Sequence, residues 1–91
     1  MVFAIMYEID TTKKDYSSLY EKIKALGSWM HYFGSVWFVS PSDKKTAGEL
    51  YDEIVPFIDG AKDYLLVIEI TGHYRGWLPQ KAWEWIHDKG L

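Results

Sequence analysis

Two segments of this chain are apolar on both sides at once. Residues 2–9 read VFAIMYEI and residues 63–71 read DYLLVIEIT. Successive side chains of a strand point to opposite faces of its sheet. A strand with almost no polar face therefore has to be covered on both. Alternation sets Phe3, Ile5, Tyr7 and Ile9 on one face of the first strand and Ala4, Met6, Glu8 and Asp10 on the other. In the last strand Leu66, Ile68 and Ile70 face one way, and Leu65, Val67 and Glu69 the other. The chain has 91 residues, enough for one domain over 1–91. So short a chain buries only about 60–65% of its surface, and a second covering layer is hard to build from within.

The stretch between these strands reads as alternating punctuation and pattern. Residues 10–15, DTTKKD, are a polar loop. DYSSLYEKIKALG predicts a helix with Asp15 as N-cap, an apolar stripe of Tyr16, Leu19, Tyr20, Ile23 and Leu26, and Gly27 as a left-handed end. Residues 28–40 predict a hairpin, with Trp29–Phe33 and Val36–Val39 as its arms and Gly34-Ser35 as its turn. Pro41 and residues 42–45 break the pattern. Thr46 and Glu49 then have capping-box spacing and start a second helix, with Leu50, Tyr51, Ile54 and Ile58 on its buried face. Pro56 kinks or ends that helix near Val55. After the last strand, Gly72 to Gly76 is a connector, and Leu78 to Lys89 predicts a short helix with Pro79 in its first turn.

Strand, helix, strand, strand, helix, strand and a tail helix is the split βαβ order. It predicts an α+β, ferredoxin-like βαββαβ fold: an antiparallel four-stranded sheet with two helices on one face, plus a short C-terminal helix. The first and last strands are expected to be central neighbours, or nearly so. Residues 72–91 form the connector and tail. Two helices cover one sheet face, so Ala4, Met6, Leu65 and Val67 need a second cover. A second subunit or the Trp-rich tail is expected to supply it, which makes these four the candidate dimer interface.

Composition narrows the function classes. The hydrophobic fraction of 48% and charged fraction of 25% are those of a globular chain. There are no cysteines, which excludes disulfides and thiolate metal sites and points to a reducing, cytoplasmic setting. The N-terminal apolar run lacks a basic flank and is closed early by Glu8, unlike a signal peptide. No stretch approaches the roughly 18–20 apolar residues of a membrane span. The net charge of −3 lacks the positive excess that neutralises phosphates in most nucleic-acid binders. Lys13-Lys14 and Lys44-Lys45 are the visible basic spots, and the topology sets them at opposite ends of the sheet.

Few residues announce chemistry. Glu8 and Asp10 lie on one strand face near its C-terminal end, where two carboxylates can offer oxygen ligands to Mg²⁺ and a two-fold axis would bring a second pair. Glu69 is a further acid on the last strand. His31, His73 and His87 are dispersed, and His73-Tyr74-Arg75 reads as a surface loop between glycines. Trp29, Trp37, Trp77, Trp83 and Trp85 read as packing residues, with the last three suited to clasping a partner. Ser17-Ser18 and Ser40 have no nucleophile context, and no phosphate loop, dinucleotide fingerprint or zinc spacing occurs.

Several stretches together carry a family resemblance: MYEIDTTKKDYSSLYEKIKALGSW, GSVWFVS, IVPFID, DYLLVIEI, and the GW and Trp-containing tail. They resemble small bacterial proteins related to the second CRISPR-associated protein, the partner of the integrase in spacer acquisition, whose close relatives are grouped as SinR-family proteins. The resemblance spans nearly the whole chain. It implies a ferredoxin-like homodimer that is a metal-dependent nuclease in some members and a non-catalytic scaffold in others. The family's metal ligand is an Asp in a Tyr-Asp pair at the end of the first strand. Here Tyr7-Glu8 stands there, a longer acid, with Asp10 placed to substitute or assist. The resemblance thus names Glu8 and Asp10 as catalytic and metal residues for Mg²⁺ or Mn²⁺. The Glu-for-Asp change and the acidic charge favour a non-catalytic dimeric module that binds a protein or a nucleic acid. The alternative is a metal-dependent endonuclease acting on RNA or DNA at the two-fold.

Overall fold

A computed structural model describes residues 1–91. Its elements are β1 (Val2–Glu8), α1 (Ser17–Ala25), β2 (Gly27–Phe33), β3 (Val36–Pro41), α2 (Ala47–Ile54), a 3₁₀ turn (Val55–Phe57), β4 (Tyr64–Ile70) and α3 (Gln80–Asp88). The four strands form one sheet in the order β2-β3-β1-β4, every pair antiparallel. The expected α+β fold with a four-stranded antiparallel sheet is present, with α3 as a third helix. No helix is long and apolar enough to cross a membrane.

The odd-numbered residues of β1 face α1 and α2. Phe3, Ile5 and Tyr7 join Leu19, Ile23, Leu50, Ile54, Trp37 and Val39 in the main core. Phe3, Ile5, Leu19, Ile23, Leu50 and Ile54 are fully buried, each contributing roughly 1.5–3 kcal/mol. A second, smaller core lies on the opposite face, where Met30 meets Ala82 and Ile86 of α3, with Phe38, Leu78, Trp83 and Trp85 packed around them. The tail therefore supplies part of the second cover from within the chain.

The element ends follow local chemistry. Thr46 and Glu49 form the predicted reciprocal capping box, the Thr46 hydroxyl accepting from the Glu49 amide at 3.1 Å and the Glu49 carboxylate from the Thr46 amide at 2.9 Å. Pro56 falls in the 3₁₀ turn that ends α2, as its missing N–H requires. α1 starts at Ser17, later than Asp15, yet the Asp15 carboxylate still accepts the Ser17 amide at 2.9 Å. Pro79 precedes α3 as its N-cap instead of sitting in its first turn.

Three further expectations are corrected. Gly27 does not end α1; Leu26 caps it in the right-handed region, and Gly27 opens β2. A Cβ at Gly27 would lie 2.3 Å from the Ser40 carbonyl oxygen and 2.7 Å from the Ser42 nitrogen, so the tight approach of β2 to the end of β3 requires glycine. β4 is a neighbour of β1 but an edge strand, because β3 takes β1's other side. Leu65 and Val67 do not share a face with Ala4 and Met6. Antiparallel pairing sets Tyr7 opposite Leu65 and Ile5 opposite Val67, and both pack on the main core. The residues of β4 that join Ala4 and Met6 are Ile68 and Leu66.

Candidate functional site

The acidic end of β1 comes first, since the sequence points there. Glu8 ends the strand, is exposed, pairs in register with Tyr64 and makes no ion pair. Asp10 is in the following loop. Its carboxylate accepts the Thr12 hydroxyl at 2.5 Å and the Thr12 amide at 3.0 Å. Those bonds hold the Asp10 carboxyl below the usual range, the hydroxyl bond contributing most. It is the geometry of a turn-forming Asp. No three His, Cys, Asp or Glu side chains gather anywhere as a metal-binding group. Glu8 and Asp10 therefore do not fit a preorganised divalent-ion site built by a single chain. Glu69 stands opposite Phe3 in the register, so alternation sends its side chain to the helix-layer face, away from Glu8.

The second sheet face holds the larger feature. Between it and residues 71–91 lies an open cavity of about 620 Å³. Val2, Ala4 and Met6 of β1, Phe38 of β3 and Ile68 of β4 line the sheet side, and Leu78, Trp83 and Ile86 line the tail side. Thr71, His73 and Arg75 contribute the polar rim from the connector. The tail reaches over β2 and β3 but stops short of β4. Tyr64, Leu66 and Ile68 are left 73%, 54% and 42% exposed as an apolar strip along the sheet edge. Trp77, in the connector, is 98% exposed.

The two edges of the sheet differ. β2 has a register shift between Met30 and Phe33 and is packed by α3. β4 pairs with β1 without interruption from Tyr64 to Ile70 and has Glu69 as its one charge. Bulges, charges and covering segments are the usual protections of an edge, and β4 has few of them.

Several other residues singled out in the sequence are held in packing contacts, hydrogen bonds or ion pairs. Trp37 is buried and donates its indole N–H to the Tyr7 hydroxyl at 2.8 Å. Burial pushes the Tyr7 phenol up, and the Trp37 bond partly offsets this. His31 stacks on Trp37 with ring centres 3.8 Å apart. Trp85 donates to the Ser28 hydroxyl at 3.0 Å, tying α3 to β2. Lys45 reaches Glu53 at 2.5 Å and Lys22 reaches it at 3.3 Å, so one of the four paired-sequence lysines is already neutralised. Lys13, Lys14 and Lys44 are exposed.

Sequence reasoning missed the cavity rim and the β4 strip. His73-Tyr74-Arg75 is indeed an exposed loop, but it borders the cavity. Its glycine flanks marked a connector, and nothing marked what it would lie beside. No family model, no curated protein and no solved structure matches this chain.

Proposed function

We propose that this chain is a non-catalytic homodimeric module, related to the second CRISPR-associated protein, that binds a macromolecular partner. The observation that carries the reading is the strip of Tyr64, Leu66 and Ile68, left exposed on an edge strand with little protection. A second copy would cover that strip and bring two strips together across a two-fold. Glu8, beside Tyr64 in the register, would flank the contact on both sides. The net charge of −3 and the scattered lysines favour a protein partner over a nucleic acid.

The test is the solution mass of the parent chain and of a Leu66→Lys, Ile68→Lys variant, measured by light scattering on a sizing column. The parent is expected at twice the 10.7 kDa chain mass and the variant at the chain mass, with unchanged circular dichroism. A monomeric parent rejects the dimer.

The endonuclease reading keeps one supporting observation: Glu8 is exposed and unpaired, hence free to meet its two-fold mate. Labelled RNA and DNA incubated with Mg²⁺, Mn²⁺ or EDTA decide between the two. Metal-dependent cleavage that disappears in a Glu8→Ala, Asp10→Ala variant of unchanged mass and fold overturns the non-catalytic reading.

A further inference from the structure

We infer that the cavity under the tail is a binding site for a single-chain anionic amphiphile, such as a free medium-chain fatty acid, with its chain against the sheet and its carboxylate at Arg75. Ligand pockets typically enclose about 300–1,000 Å³, are lined mainly by apolar side chains and carry a few polar groups that fix orientation. This cavity, at about 620 Å³, has that composition. Its floor and roof are Val2, Ala4, Met6, Phe38, Leu78 and Ile86.

The polar groups are not spread around the wall. Thr71, His73 and Arg75 are close neighbours in the chain, all in the segment that follows β4. Glu69 also borders the cavity, but its register opposite Phe3 directs its carboxylate to the other sheet face. Arg75 is the only arginine in the chain. It has no carboxylate partner, whereas Lys22, Lys24, Lys45 and Lys89 each have one. A guanidinium binds a carboxylate through two parallel N–H···O bonds, a geometry an ammonium cannot offer. An apolar slot bordered by one arginine without a carboxylate partner is complementary to a long apolar chain with one anionic end. A neutral chain would fill the slot and leave the guanidinium unused. A free phosphate would use the guanidinium and leave the slot empty.

This site does not depend on the dimer reading, because its walls all come from one chain. Decanoate, kept below its micelle-forming concentration, is titrated into the full chain and followed by calorimetry and by tryptophan fluorescence. Trp77 and Trp83 border the cavity and report occupancy. The expected result is saturable binding of one decanoate per chain, weakened at least about tenfold in Arg75→Gln, with decanol binding at least about tenfold more weakly than decanoate; tenfold corresponds to about 1.4 kcal/mol. Three results overturn the proposal: no saturable binding, decanol binding as tightly as decanoate, or affinity unchanged by Arg75→Gln. Association with phosphatidylglycerol vesicles without binding of monomeric decanoate also overturns it, assigning the surface to a membrane instead. The decanol arm needs no variant, so it stands whatever Arg75→Gln does to the fold.

Discussion

At the scale of single residues, the most tightly held polar group is Asp63, just before β4. It is the one charged side chain in the buried set. One of its oxygens accepts the Tyr16 hydroxyl at 2.5 Å and the Asp59 amide at 2.7 Å, so the start of α1 and the loop after the 3₁₀ turn are fastened to the same atom. The Tyr16 bond to Asp63 is the chief reason its phenol is pushed up to about 12, against about 10 for a tyrosine in an unfolded chain. The folded state thus holds this proton more tightly than the unfolded state. The stabilisation is complete below pH 10 and is lost as pH rises through about 12. A Tyr16→Phe variant is expected to be less stable than the parent at neutral pH, with the difference shrinking across that alkaline window. Urea unfolding of both proteins at matched pH values checks it. A difference that stays constant up to the top of the window rejects the Tyr16–Asp63 bond as its source.

At the scale of elements, the existence of the strands and helices and both ends of α2 were legible because each rests on local chemistry: the Thr46 capping box, the Pro56 stop, the Gly34-Ser35 turn. The role of Gly27 was not. A glycine after a helical stripe reads as a helix end, and only the approach of Ser40 and Ser42 reveals what excludes a side chain there. The facing of β4 was not legible either. Both of its faces are apolar, so alternation separates Leu65 and Val67 from Leu66 and Ile68 without saying which pair meets the helices. Pairing with β1 decides that, and pairing is a long-range event. The cavity depends on where an irregular connector comes to rest, for which residues 72–79 carry no periodic signal. Gly27 also gives the sharpest test at this scale. Gly27→Ala forces a Cβ against three backbone atoms within 3 Å, none of which can swing aside. The expected cost exceeds the roughly 1 kcal/mol of a typical point substitution, read as a lowered urea midpoint. Gly34→Ala, with nothing within 4 Å of its Cβ, is the control. If the two variants are equally stable, the close approach is not what holds glycine at position 27.

At the scale of the molecule, the sheet separates two cores of unequal size. The buried cluster on the α1–α2 side holds eleven residues and the one on the tail side three. The smaller core holds the tail through Ala82, Ile86 and the Trp85–Ser28 bond, and the connector before it has no regular structure to resist opening. Proteins open in cooperative units whose stability follows their buried contacts, so α3 is the unit expected to open first. Ile86 is the place to test this, being buried on α3 while remote from the main core. An Ile→Ala change at a packed site costs about 2–5 kcal/mol. Applied to the docking of α3 alone, that cost speeds amide exchange in residues 80–89 at least about 30-fold. The amides of β1, held between β3 and β4, should exchange at nearly the parent rate. Hydrogen exchange read residue by residue separates the outcomes. Equal acceleration in α3 and β1 would mean that the tail and the sheet unfold as one unit. Confined acceleration would mean that the second sheet face can be uncovered without unfolding the first. The strip of Tyr64, Leu66 and Ile68 would then extend into Ala4, Met6 and Phe38 as a single apolar surface. A chain whose tail opens that way can widen its contact area for a partner at the cost of undocking one short helix.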